Sequence, residues 1–385
     1  MSRKPSKDST PFARAMIIKK VLIHSLAIIV FLVPTLIIPA FYPTGMAIYL
    51  RLFLLFLILI EGLILFKIVF MNEKRSEILK KLGTIVFSLF VAFIFMEAIF
   101  MFIPRSHNYD YTLASKLWEA KYWKPINSLG FRDKEPGNKN SVILFVGDSF
   151  TAGDGLESVN DRFSNIVGAE MNKKEKKYTI INIGRKGLQT KEEFVAMKNF
   201  LYATIIKPQI IVLQYYGNDI ANVAQENGLI FKGSFLYANV NKVLIPVISN
   251  SYFINYLYWL HSQDYITEPY ITFLAKCYSN HNVLSKHKEE IMLFVNYAKE
   301  NSIKLIVVVF PLLQDIERSD SMYVNDIVDF LKGNKICTIN VSNLVKELPI
   351  EDRIINKNNG HASNKVNRIV AQEIFRNIAI IDTWK

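Results

Sequence analysis

Ser141-Val142-Ile143-Leu144-Phe145-Val146-Gly147-Asp148-Ser149-Phe150-Thr151-Ala152-Gly153 is the stretch on which the fold turns. Its first part, Ser141–Val146, reads as a strand: after Ser141 it is apolar without alternation, which suits burial on both faces. The run stops at a glycine. A serine on a Gly-rich turn between strand and helix is exposed, and its backbone N–H can point into the same space. Four more runs read as strands: Tyr178–Asn182, Ile210–Tyr215, Lys304–Phe310 and Cys337–Val341. Helical patterns separate them, among them Thr190–Tyr202 and Lys286–Asn301, and another, Lys365–Ile378, follows the last. Thr190 and Glu193 have the spacing of a capping box. Strand–helix alternation predicts a parallel, doubly wound sheet with helices on both faces. In such sheets active sites lie beyond the carboxyl ends of the strands.

Those ends carry chemistry. The second strand leads into Asn182-Ile183-Gly184-Arg185-Lys186-Gly187 and the third into Tyr216-Gly217-Asn218-Asp219. Asn359-Gly360-His361-Ala362-Ser363 precedes the final helix. Each piece alone is weak, but together they set a nucleophile, two donors and a base at strand ends of one sheet. A serine hydroxyl is a poor nucleophile until a base takes its proton. Histidine can take it and return it to a leaving alcohol. The oxyanion formed needs donors already in place, each worth about 10²–10³ in turnover.

From Asn127 to the C-terminus the chain resembles the SGNH (GDSL) esterases and lipases, with all four family blocks in order. The lead-in Asn127-Ser128-Leu129-Gly130-Phe131-Arg132 resembles a bacterial branch with membrane-anchored members. The resemblance implies a three-layer, flavodoxin-like α/β fold without a cofactor. It implies Ser149 as nucleophile and His361 as general base. The oxyanion hole would use the N–H groups of Ser149 and Gly187 and the Asn218 side chain. Asp148, Gly184 and Gly217 would be structural residues near the site. One departure stands out. The family places an aspartate two or three residues before the histidine, where this chain has Asn359 and Asn358. Either a backbone carbonyl or a distant carboxylate such as Asp352 orients His361, or the enzyme is slow on a tethered substrate, or the site binds without turnover. Ser149, Gly187, Asn218 and His361 together favour an active site.

The 385 residues are 51% hydrophobic and 13% aromatic, which excludes intrinsic disorder. Two cysteines, Cys277 and Cys337, exclude a disulfide scaffold and a four-thiolate zinc site. No His-Glu-x-x-His spacing, phosphate-binding glycine loop or internal repeat is present. The formal charge of +12 invites a nucleic-acid reading, but its distribution argues otherwise. Residues 1–104 hold 12 Lys/Arg and five Asp/Glu, all but Arg51, Glu61, Lys67 and Glu97 lying outside three apolar runs at Val21–Tyr42, Met46–Phe70 and Leu82–Pro104. Each run can cross a hydrocarbon core, which takes about 20 helical residues, and a cleaved signal peptide fits poorly. The basic arm 1–20 and the loop carrying Lys74, Arg75, Lys80 and Lys81 are expected in the cytoplasm. Three crossings then put everything after Pro104 outside.

The expected organisation is a cytoplasmic arm (1–20), a three-helix anchor (21–104), an aromatic juxtamembrane linker (105–126) and a catalytic domain (127–385). That domain carries an aromatic-rich insertion (220–285), read as a lid, a membrane-facing surface or extra core. Intramembrane carboxylates need an account. Glu97 is expected to pair with Arg51. Glu61 reads as a contact to a partner protein or substrate carrier, or as a protonated residue in a simple anchor. Arg185 and Lys186 are expected as solvated charge or headgroup contacts. The leading function is a membrane-anchored serine esterase acting on O-acyl esters of cell-surface polysaccharide or lipid. An O-acyltransferase with the same site and a non-catalytic surface-binding protein are the alternatives.

Overall fold

The computed structural model describes residues 11–41, 45–70, 73–108, 112–137, 141–174, 178–233, 237, 240–242, 244–261 and 264–383. The chain forms two compact units: Met1–Ile103 with Val240–Tyr258, and Pro104–Asn239 with Trp259–Lys385.

The first unit contains three long helices, α1 (Pro11–Phe41), α2 (Gly45–Phe70) and α3 (Glu73–Phe100). Among the described residues two helical segments are long and apolar enough to cross a membrane, Ala15–Thr35 and Lys81–Phe100. Three were expected. The middle run does form a helix, α2, but side chains at both its ends fall outside the described residues. Glu61 has a partner that the sequence reading missed: its Oε2 lies 2.5 Å from Nδ1 of His24 on α1. Such a pair between helices lowers the cost of holding a carboxylate in an apolar setting. The Arg51 side chain lies outside the described residues, so its expected pairing with Glu97 does too. Glu97 is buried and accepts hydrogen bonds from Ser251 Oγ and from the backbone N–H groups of Tyr252 (3.0 Å) and Phe253 (3.3 Å). It thereby caps the helix Tyr252–Leu260, whose first amides have no partner within the helix. The insertion is therefore divided: its 240–258 portion belongs to the unit of the apolar helices.

The second unit is built on five parallel strands: β1 (Val142–Val146), β2 (Thr179–Asn182), β3 (Pro208–Tyr215), β4 (Lys304–Val309) and β5 (Cys337–Asn340). Their order is β2-β1-β3-β4-β5, the flavodoxin-like arrangement. Alternate residues of each strand face opposite sides. Leu144, Val146, Leu213 and Val307 pack with α7 (Thr190–Thr204) and the helix His281–Glu300. Ile143, Phe145, Val212 and Val308 pack with α6 (Phe163–Lys173) and the last helix, Asn364–Thr383. Burial on both faces explains the unbroken apolar runs, each such side chain being worth about 1.5–3 kcal/mol when fully buried. The linker helix α4 (Leu113–Tyr122) belongs to this unit, as does the short helix α5 (Ser149–Ala152) after β1.

A second, two-stranded antiparallel sheet pairs β6 (Ile354–Asn356) with β7 (Asn359–Ala362). The sequence reading assigns no strand to this stretch. Both cysteines are free, and burial pushes the Cys277 thiol up to about 11. The α7 cap sits one residue earlier than expected: the Gln189 N–H donates to Glu192 Oε2 at 3.2 Å, and Glu193 turns into the core.

Candidate active site

β1 delivers the chain to Gly147, Asp148 and Ser149 at its carboxyl end. Asp148 caps α5, its Oδ1 accepting from the Phe150 N–H at 2.9 Å. The Asp148 N–H donates to Gln214 Oε1 on β3 at 3.1 Å, and the Thr151 hydroxyl donates to the same oxygen at 3.0 Å. The turn is thus tied to the neighbouring strand. Ser149 becomes the first residue of a helix, where backbone amides lack intrahelical partners.

His361 arrives on β7. Its Nε2 lies 2.7 Å from Ser149 Oγ, and its Nδ1 lies 2.6 Å from Asn359 Oδ1. The tautomer follows from a third contact. The His361 backbone N–H, which can only donate, meets the same Asn359 Oδ1 at 3.1 Å. That atom is therefore the amide oxygen, and Nδ1 must carry the proton that meets it. Nε2 is left as an acceptor for the Ser149 hydroxyl. Asparagine here orients the imidazole as an aspartate would, without a charge to offset an imidazolium.

The other two candidates for orienting His361 are engaged elsewhere. Asn358 donates its side-chain amide to the Trp259 carbonyl, and Asp352 pairs with Lys365 at 2.7 Å. Asp148, in the serine's own turn, interacts electrostatically with His361. Burial holds the Asp148 carboxyl above the usual aspartate range, while the Phe150 N–H and the charge of a protonated His361 pull it back. Asp148 Oδ2 has no hydrogen-bond partner within normal distance among the described residues, while the Gln214 and Asn218 side chains also act to lower its pKa.

The expected donors come together with the pair. Ser149, Gly187, Asn218 and His361 line one pocket of about 370 Å³ within the second unit. Gly187 has φ +76°, a left-handed conformation suited to glycine. Gly184 is required by space: a Cβ there would stand 2.4 Å from the Ala152 nitrogen and 2.6 Å from the Thr151 carbonyl carbon. Its loop packs directly on α5, held by Asn182, whose amide donates to Thr151 O at 2.7 Å and to Ser164 Oγ at 2.8 Å. Gly217 accepts from the Tyr278 hydroxyl at 3.1 Å. Tyr270, Ile271 and Leu274 of the helix Asp264–Ser279 form an apolar wall of the pocket, so part of the insertion does shape the site.

Two cations near the site do more than the sequence reading gave them. Arg132 is fully buried and donates to Gly153 O (2.5 Å), Leu156 O (2.7 Å) and Tyr122 O (2.8 Å). It binds the end of α5 to the linker helix, and burial, then the charge of Arg162, pushes its pKa down to about 10. Lys186 is 19% exposed, not solvated: its Nζ lies 3.4 Å from Asp154 and 4.2 Å from the centroid of Trp123, over whose ring Arg132 also lies. Arg185 stays exposed. The burial of Lys186 depends on Trp123 and Asp154, distant in sequence, and no local pattern announces it.

Beneath the loops lies Glu193, 1% exposed, with neither carboxyl oxygen bonded among the described residues. Burial, then the nearby Asp219 and Asp148, hold it well above the usual glutamate range. A buried acid with a raised pKa keeps its proton in the folded chain after the unfolded chain has lost it. Stability therefore falls as pH rises above the ordinary glutamate pKa. Glu193→Gln is expected to melt at a higher temperature than the wild type at pH 8, with the gap closing towards pH 4. Equal gaps at both pH values, read by differential scanning fluorimetry, would contradict this.

No protein-family model matches the chain. No curated protein matches it. Solved structures do. The chain is similar to lipolytic proteins of the G-D-S-L family and to esterases. A member of the lipolytic protein G-D-S-L family from Veillonella parvula is 14% identical, over 61% of this chain and 96% of that one, with a TM-score of 0.36. An acetylxylan esterase from Geobacillus stearothermophilus is 12% identical, over 62% and 94%, with a TM-score of 0.40. A psychrotrophic esterase from Pseudoalteromonas sp. is 10% identical, over 63% and 100%, with a TM-score of 0.38.

Proposed function

We propose that this chain is a membrane-anchored serine esterase of the SGNH (GDSL) type, acting through an acyl-enzyme on Ser149. The observation that carries the reading is the relay Ser149 Oγ–His361 Nε2–Nδ1–Asn359 Oδ1, at 2.7 and 2.6 Å, with the tautomer fixed by the backbone. His361 takes the Ser149 proton as Oγ attacks the ester carbonyl. The N–H groups of Ser149 and Gly187 and the Asn218 amide receive the oxyanion. His361 then protonates the leaving alcohol, and water releases the acyl group by the same steps in reverse order. The apolar wall suits the acyl part of the substrate. Lys186 and Gln314, which also line the pocket, suit a hydroxylated alcohol part. O-acyl esters of surface polysaccharide or lipid fit this division.

The basic arm and the 74–81 loop support an orientation with the N-terminus in the cytoplasm and Ser149 outside, which needs α2 to cross in contact with membrane lipid between the two apolar segments Ala15–Thr35 and Lys81–Phe100. The test is covalent. A fluorophosphonate probe is expected to leave one adduct, on the peptide containing Ser149, by mass spectrometry. No adduct, or one on a different residue, would reject the reading.

A further inference from the structure

His361 stands on a weak element. β6 and β7 are three and four residues long, with irregular register, and do not join the main sheet. A two-stranded hairpin is marginal in water by itself. Yet its placement sets the 2.7 Å contact on which proton transfer depends.

What holds it is the segment that follows α3. The Asn108 N–H donates to Asn358 O at 2.8 Å, and Asn108 Oδ1 accepts from the Gly360 N–H at 2.9 Å. The Asn356 amide donates to Ser106 O at 3.2 Å. The Asn358 amide reaches Trp259 O, and the Trp259 ring stands 5.0 Å from the His107 ring. Pro104 and Trp259 are the two residues at which the chain enters the second unit, first after Ile103 and again after Tyr258. Both points thus lead directly onto the hairpin that bears the base.

We infer that Asn108 is a positioning residue for His361, holding Asn358 and Gly360 so that the imidazole meets Ser149. The inference rests on the esterase reading above and deepens it: hydrolysis depends on the segment Pro104–Asn108, outside the region of family resemblance. Asn108 grips the residue next to the base, so its loss displaces the imidazole while leaving the apolar wall on Asp264–Ser279 intact. The cost therefore falls on kcat and spares KM. Small displacements of a reacting group are expensive, up to about 10² for 1 Å, and one hydrogen bond of several is removed here.

The test uses full-length protein in detergent and a p-nitrophenyl ester. Asn108→Ala is expected to lower kcat about tenfold with KM within twofold of wild type. Asn108→Asp keeps an oxygen for the Gly360 N–H and is expected to recover most of the loss. Hydrogen exchange in 354–362 is expected to quicken in Asn108→Ala and not elsewhere in the sheet. Wild-type kcat in Asn108→Ala, a loss residing in KM, or unchanged exchange would each overturn the inference. If the wild type neither hydrolyses the ester nor takes a fluorophosphonate, the esterase reading falls, and exchange still decides whether Asn108 holds the hairpin.

Discussion

Ser149→Ala, His361→Ala and the double variant are expected to lose nearly the same factor in kcat for ester hydrolysis, on the order of 10⁵–10⁶. The equality matters more than the size. Ser149 Oγ and His361 Nε2 share one proton path, so once either is gone the other has nothing to act on. Groups that work as a unit are strongly non-additive. What remains in each variant is the contribution of the oxyanion donors and of substrate binding, which none of the three removes. KM should change little, because neither side chain forms the apolar wall. A double variant much slower than either single one would mean that the two act independently, against the relay.

The second large effect is a gain. Asn359→Asp is expected to raise kcat roughly ten- to hundredfold, or about 1.4–2.7 kcal/mol of barrier. In chymotrypsin-type enzymes the reverse change costs about 10⁴, largely through the wrong imidazole tautomer. Here the tautomer is already correct, since Asn359 Oδ1 faces both the backbone N–H and Nδ1 of His361. Only the charge is lacking. A carboxylate at this distance would favour the imidazolium formed during attack, so the acid limb of the kcat/KM profile should also move to higher pH. The gain is limited by burial: Asn359 is fully buried and its Nδ2 has no partner among the described residues, so a carboxylate oxygen in that place would be partly desolvated. Unchanged or lower kcat would show that Asp148, or another source of negative potential, already serves the imidazolium.

Much of the second unit could be read without a structure, and the reason lies in its strands. Val142–Val146 and Lys304–Val309 are buried on both sides, so their apolar runs are unbroken and their ends fall within about one residue of the expected limits. The glycine-bounded turns after β1 and β2 were legible for the same reason, being where such a run must stop. β6 and β7 were not. Ile354–Ala362 is mostly polar and becomes strand only by pairing with itself and with Ser106 and Asn108, roughly 250 residues away. The partner of Glu97 is hidden in the same way, some 155 residues on. Asn359 was visible as a missing aspartate. Its value lay in what an amide oxygen still supplies, which depends on an orientation that only the His361 backbone contact reveals.

The grip of Asn108 on the Gly360 nitrogen has a chemical consequence as well. Asn359-Gly360 is a pair in which the glycine nitrogen can attack the preceding side-chain carbonyl carbon, close a succinimide and expel ammonia. With that nitrogen donating to Asn108 and the Asn359 oxygen held by His361, neither partner is free to turn towards the other. The contact that aims the base therefore also protects the covalent identity of the residue beside it, and keeps the chain from ageing into a differently charged enzyme.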